Sequence, residues 1–163
     1  MQKADPAMDA RRWTPERKAR YPSPMFVESS VRPLAFRTAG FADLRAHVDM
    51  PADDTLGSTR ERVGGDLGQS YVDAFRAIEV DPNNEIVVAC LDDRIVASLQ
   101  LTYTPSLSYQ GSWRATLESV RTAADLRGSG IGTQLVRHAI ERARARGCGL
   151  VQLSTNKVRI DAR

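Results

Sequence analysis

The sequence predicts a mixed α/β (α+β) domain: a mostly antiparallel central sheet flanked by helices, in the order β-α-α-β-β-β-α-β. Three observations predict it. Apolar residues recur at helical spacing in three separate segments. Two apolar runs separated only by Asp92 and Asp93 read as an antiparallel hairpin. Finally "LRGSGIGTQL", residues 126–135, leads from an alternating stretch into an apolar helical stripe with another apolar run behind it. That arrangement is a β-α-β unit, whose strands should be parallel and joined by a right-handed crossover.

Residues 1–30 are rich in proline and charge and show neither period, so they read as a mobile extension ahead of a single domain over 31–163. In "LAFRTAGFADLRAHV" a short strand over 34–38 precedes a helix with Phe41, Leu44 and Val48 on one side, and Pro51 ends it. A polar stretch follows. The second helix carries Tyr71, Phe75 and Ile78 at i, i+4 and i+7, and "DPNN" at 81–84 closes it with turn chemistry. The hairpin strands span 85–91 and 94–104, and a loop over 105–111 leads to "SWRATLESVRT" at 112–122. Strict alternation there puts Thr116, Glu118, Val120 and Thr122 on one face and Ala115, Leu117, Ser119 and Arg121 on the other. Ile131, Leu135, Val136, Ala139, Ile140 and Ala143 form the third helix stripe, Gly147 stops it, and "LVQLST" at 150–155 is the last strand.

Composition narrows the classes. Of 163 residues, 42% are hydrophobic and 26% charged, which suits a soluble globular chain and excludes wholesale disorder or a fibre. The longest apolar run, 86–91, falls far short of the roughly 18 residues that cross a bilayer, and Lys3, Asp5 and Asp9 interrupt any secretory leader. A cytoplasmic location without membrane association is the expectation. Cys90 and Cys148 are isolated and read as buried strand thiols; with His47 and His138 also single, no metal site is expected. The net charge of +3 is spread along the chain rather than gathered on one stripe, which argues against nucleic acid as the partner. Arg142, Arg144 and Arg146, late in a helix, suit the negative end of its dipole.

The glycine stretch is the most informative motif. Glycines at 128, 130 and 132 allow backbone angles closed to other residues and let a ligand approach the main chain. The first amides of the following helix lack internal acceptors and lie at its positive end, an arrangement that binds anions. Arg127 and the hydroxyls of Ser129 and Thr133 add to the case, whereas a turn needing glycine only for geometry would usually use one. A dinucleotide fingerprint would need glycine where Thr133 stands, and a P-loop would need a lysine nearby; neither condition is met.

Arg127, Gly130 and Gly132 do match R-x-x-G-x-G after a strand and opening a helix. This resembles the acyl-CoA-binding signature of the GNAT superfamily of N-acetyltransferases. "FRTAGFADL", the hairpin and "LVQLST" are similar to that family's first strand and helix, second and third strands, and fifth strand, so the resemblance covers roughly 34–163. It implies acetyl-CoA as co-substrate, with no metal. The pyrophosphate would lie on the loop formed by Arg127, Gly128, Ser129, Gly130, Ile131, Gly132 and Thr133. The backbone of Val120, Arg121 and Thr122 would pair with the pantetheine arm, and Asn156 would touch the cofactor or cap a helix. The implied reaction transfers an acetyl group to a primary amine of a small molecule or peptide, by direct attack in a ternary complex.

An alkylamine of pKa about 10.4 is mostly protonated at pH 7, and freeing its lone pair costs about 4 to 5 kcal/mol, so a base is useful. Glu118, beside the expected cofactor strand, is the candidate; a carboxylate that binds the substrate's cation or faces solvent is the alternative. An N–H near Val120 or Thr122 would stabilise the oxyanion. Gln100, Thr102 and Tyr103 either line the acceptor pocket or are ordinary sheet positions. Family members usually continue past the point where this sequence ends in "KVRIDAR", into a helix and two strands with a tyrosine that protonates the thiolate. A shortened chain, a naturally short protein and completion by a partner chain all remain open. The last strand would then keep an unpaired apolar edge, which predicts a homo-oligomer or a fragile monomer. A CoA-binding module without turnover is the alternative function.

Overall fold

In the computed structural model, which describes residues 33–50 and 66–153, five strands form one sheet in the sequential order β1-β2-β3-β4-β5. The strands are β1 (Leu34–Thr38), β2 (Asn84–Leu91), β3 (Arg94–Thr104), β4 (Trp113–Thr122) and β5 (Cys148–Leu153). The first four pair antiparallel and β4 pairs parallel with β5, as the sequence predicts. The helices are α1 (Leu44–Asp49), entered through a 3-10 turn at Phe41–Asp43, then α2 (Gln69–Val80) and α3 (Ile131–Ala145). The strand expected at 150–155 begins instead at Cys148: Gly147 takes the left-handed conformation that ends α3, so the chain is extended immediately afterwards. The extension expected at 1–30, the Pro51 stop and Asn156 lie outside the described residues.

The sheet has two unlike faces. On one, Val87, Leu99, Leu101, Ala115 and Leu117 meet Ile131, Leu135, Ala139 and Ala143 of α3, with Leu135 and Leu99 fully buried. This is the expected helix stripe, which a 3.6-residue period turns toward the sheet. On the other, Ile86, Val88 and Cys90 lie against Leu44 and Val48 of α1 and Phe75 of α2. Cys148, read as buried, is only partly so, because it sits where β5 begins beside the end of α3.

α3 is also bolted to the sheet by charge. Arg142 reaches Glu85 of β2 through Nη2 at 2.5 Å and Nε at 3.2 Å, and it donates to Thr38 of β1 at 3.0 Å. Tyr103 of β3 donates to the same carboxylate at 2.6 Å. Burial alone would raise the pKa of Glu85; Arg142, Tyr103 and Thr38 outweigh it and hold the carboxyl below its usual range. Burial, and then Glu85, push the Tyr103 phenol up, so it keeps its proton and donates. One turn earlier, His138 stacks on Phe36 with ring centroids 4.6 Å apart. Burial first and Arg142 second hold its pKa below 6.5, so it is neutral at pH 7.

A glutamate with a depressed pKa stabilises the fold above the unfolded value of about 4.5, and that stability is lost as pH falls through the folded value. Replacing Glu85 with Gln should lower unfolding free energy by about 2 kcal/mol at pH 7, since a hydrogen bond to a charged group is worth about 1.5–3 kcal/mol. In urea titrations the gap between wild type and variant should shrink below pH 4.5; a gap that stays constant would show that the ionised carboxylate is not its source.

Candidate functional site

The site is built on β4. Its register with β5 runs from Trp113↔Cys148 to Leu117↔Leu153, while its register with β3 continues to Ala97↔Thr122. Residues 118–122 are therefore hydrogen-bonded on one side and, among the described residues, face no strand on the other. At the end of this free edge the chain turns through Ala124–Leu126 into the glycine loop. The turn is tethered by Ala123, whose N–H donates to the Val96 carbonyl at 2.9 Å. Arg94 adds a two-pronged contact to Asp125, at 2.8 Å for each nitrogen.

The glycines divide the work. Gly128 and Gly130 have φ of 77° and 83°, the left-handed region where a Cβ is strained, and a Cβ on either would meet nothing within 4 Å. They bend the chain and leave open space above it. Gly132 is helical, and a Cβ there would lie 3.1 Å from Thr122 Oγ1, so this glycine lets α3 approach β4. The first helical bond runs from Gln134 N–H to the Gly130 carbonyl. The amides of Ile131, Gly132 and Thr133 precede it, at the positive end of a 15-residue helix. The loop and helix start thus present donors to an anion, next to a strand edge that faces no other strand among the described residues. Ser129 is used differently than its hydroxyl suggests: Oγ donates to the Leu126 carbonyl at 2.5 Å and braces the loop.

The expected face of β4 needs correction. Gln100 is opposite Glu118 and Ser98 opposite Arg121, so two β4 residues, Ser119 and Val120, stand across from Leu99 alone. This is a β-bulge, with Ser119 at φ 51°. One extra residue reverses the alternation. Val120 packs into the α3 core and Thr122 lies against Gly132, whereas Glu118 and Arg121 share the opposite face. Glu118 is accordingly exposed on the face away from α3.

That face carries a polar platform which the sequence only partly shows. Asn84, Thr102, Thr116 and Gln152 form one cross-strand row, in which Thr102 donates to Asn84 at 2.7 Å and Gln152 to Thr116 at 2.9 Å. Gln100 and Glu118 form the next row, Ser98 and Arg121 the one after it. His47 of α1 reaches the fully buried Ser98, Nδ1 to Oγ, at 3.0 Å. Of the three β3 side chains considered from sequence, Gln100 and Thr102 lie here, and Tyr103 lies on the other face with Glu85. Alternation along β3 could have separated them. Asp81 accepts from the Asn83 N–H at 2.8 Å and from the Asn84 side-chain amide at 2.5 Å; these two donors hold its carboxyl below the usual range. Among the described residues no three His, Cys, Asp or Glu gather as metal ligands, and no helix is long and apolar enough to cross a membrane.

The protein-family model described as Acetyltransferase (GNAT) family matches residues 53–162. A search of curated proteins finds 33% identity over 94 residues with aminoalkylphosphonate N-acetyltransferase of Salmonella typhimurium (strain LT2), over 58% of this chain and 60% of that protein. The chain thus spans three-fifths of that relative's length. Among solved structures, a transcriptional regulator from Bacillus halodurans C-125 is 55% identical with a TM-score of 0.77, over 80% of this chain and 87% of that one. A protein provisionally designated an acetyltransferase, from Agrobacterium tumefaciens str. C58, is 29% identical with a TM-score of 0.65, over 76% and 82% of the two chains.

Because Gly130 holds φ 83°, Gly130→Ala should lower stability by about 1–2 kcal/mol through left-handed strain alone. Chemical denaturation measures this, and an unchanged midpoint would mean that the loop does not hold this turn in solution.

Proposed function

The chain belongs to the acetyltransferase (GNAT) family, and from that premise we propose that it is an N-acetyltransferase carrying acetyl from acetyl-CoA to a primary amine of a small molecule or peptide. One observation carries the reading: among the described residues, β4 runs beyond its partner β5 for residues 118–122, with the open helix amides at one end of that edge and Glu118 at the other. The donors present fit the cofactor. The amides of Ile131, Gly132 and Thr133, with the open backbone at Gly128 and Gly130, would hold the pyrophosphate, Arg127 at the rim adding positive charge. The free edge at Val120, Arg121 and Thr122 would take the pantetheine amides as an added strand. When bound, acetyl-CoA supplies an activated acyl carbon, whose C–S bond breaks as the amine's N–C bond forms.

The chain's own residues then have separable tasks. Glu118 takes the ammonium proton, directly or through water, and returns the lone pair needed for attack. An N–H in the bulged backbone at Val120 would face the oxygen on which charge develops. The bulge matters here because it turns Val120 and Thr122 toward α3 and leaves Glu118 and Arg121 together on the polar face.

Acetylation of a small amine is supported by the Salmonella relative, named for aminoalkylphosphonates. The Bacillus halodurans relative is described as a transcriptional regulator. A direct duplex-binding role draws no support from the basic end of α3, whose arginines are committed within the fold. Arg142 is held by Glu85, Arg144 by Glu141 at 2.7 Å, and Arg146 by Asn83 and by the Tyr103 ring, its guanidinium 4.4 Å from the centroid.

Acetyl-CoA should bind in calorimetry, and thiol release should follow on adding a panel of primary amines that includes an aminoalkylphosphonate. Binding with no release from any amine would favour the CoA-binding module, and absent binding would overturn both readings. Glu118→Gln should lower kcat by about 100-fold or more while leaving acetyl-CoA affinity unchanged. An unchanged kcat would remove Glu118 from proton transfer.

A further inference from the structure

Four polar side chains at the edge of the acceptor face form a relay whose direction is fixed from one end. Asp81, held ionised by its donors, can only accept hydrogen bonds. It takes the Asn84 Nδ2 at 2.5 Å, so the Asn84 carbonyl must turn toward the sheet. There the carbonyl accepts from Thr102 Oγ1 at 2.7 Å and from Gln100 Nε2 at 3.4 Å. Gln100 therefore commits its NH2 to the β2 side and leaves its own carbonyl on the β4 side. The residue directly across on β4 is Glu118. Both project from the same face, Gln100 half-buried and Glu118 exposed.

Residues directly opposite on neighbouring strands have Cβ atoms about 4.5–5.5 Å apart, a separation that one nitrogen with two hydrogen bonds can bridge. We propose that Gln100 determines acceptor specificity: once Glu118 has taken the ammonium proton, the Gln100 side-chain carbonyl, oriented through Asn84 by Asp81, and the C=O oxygen of the protonated Glu118 accept the two N–H bonds of the neutral primary amine. The lone pair is then the remaining direction and points at the acyl carbon. An N-methyl amine has one N–H and leaves one of the two acceptors unpaired. This inference rests on the preceding reading that Glu118 stands beside the reacting nitrogen, and it adds a selection for unsubstituted amines.

The test is steady-state kinetics with a primary amine that wild type acetylates and with its N-methyl homologue, together with acetyl-CoA titrations. Wild type should favour the primary amine in kcat/KM by on the order of 10-fold or more. Gln100→Met should raise the primary amine's KM about 10-fold, narrow the preference, and keep acetyl-CoA affinity. Asp81→Asn, which frees Asn84 to rotate, should shift KM in the same direction by less. A wild-type enzyme that takes both amines equally overturns the proposal without any variant. So does a Gln100→Met enzyme that binds acetyl-CoA and keeps both the amine KM and the preference. If wild type binds acetyl-CoA and acetylates no amine, the preceding reading fails and this one falls with it.

Discussion

Among the described residues, the end of β4 is paired with a strand on one side only. A free strand edge invites any other strand to pair with it. Here residues 118–122 pair with β3 through the bulge at Ser119 and Val120, while Val120 is drawn into the α3 core and Thr122 is pressed against Gly132. The strand is thereby fixed from one side and from one face. Among the described residues no strand pairs with its other side, which suits the added-strand binding proposed for the cofactor.

Holding α3 in place is therefore a functional matter as well as a matter of stability. Its apolar stripe does most of this, with Ile131, Leu135, Ala139 and Ala143 buried along four turns. Apolar burial is non-directional and would tolerate small slides along the axis. The Arg142 contacts to Glu85 and Thr38 are directional and tie the far end of the helix to β1 and β2, fixing where its first turn falls relative to β4. Gly132 sets the spacing at the near end.

Much of this was legible in the sequence because it is periodic or compositional. The helix stripe, the hairpin around Asp92 and Asp93, and the R-x-x-G-x-G turn each leave a local pattern, and each sits where that pattern puts it. What was not legible depends on single residues or distant pairs. The bulge at Ser119 and Val120 carries no glycine to announce it, so strict alternation put Glu118, Val120 and Thr122 on one face, which the structure divides. Glu85 and Arg142 are 57 residues apart in sequence and meet only through the fold. "DPNN" reads as a turn, and it is one, but the same Asp81 also orients an amide relay across the sheet. A tight turn of Tyr109, Gln110 and Gly111, all at positive φ, likewise has no sequence signal beyond its one glycine.

The bulge also accounts for how one strand could serve two substrates. In regular alternation Glu118, Val120 and Thr122 would share one face, and Val120 could not reach the α3 core. An extra residue increases the local twist and re-aims the side chains that flank it. Glu118 before the bulge and Arg121 after it share the polar face, while Val120 and Thr122 face α3. The strained Ser119, at φ 51°, is held by the regular ladder on either side and by the core beneath Leu117 and Val120. That strain of about 1–2 kcal/mol accompanies a strand end that sends Val120 and Thr122 toward α3 and keeps Glu118 and Arg121 on the polar face. A regular strand at the same place would keep Glu118 across from Gln100, but would turn Val120 out of the α3 core and Arg121 into it.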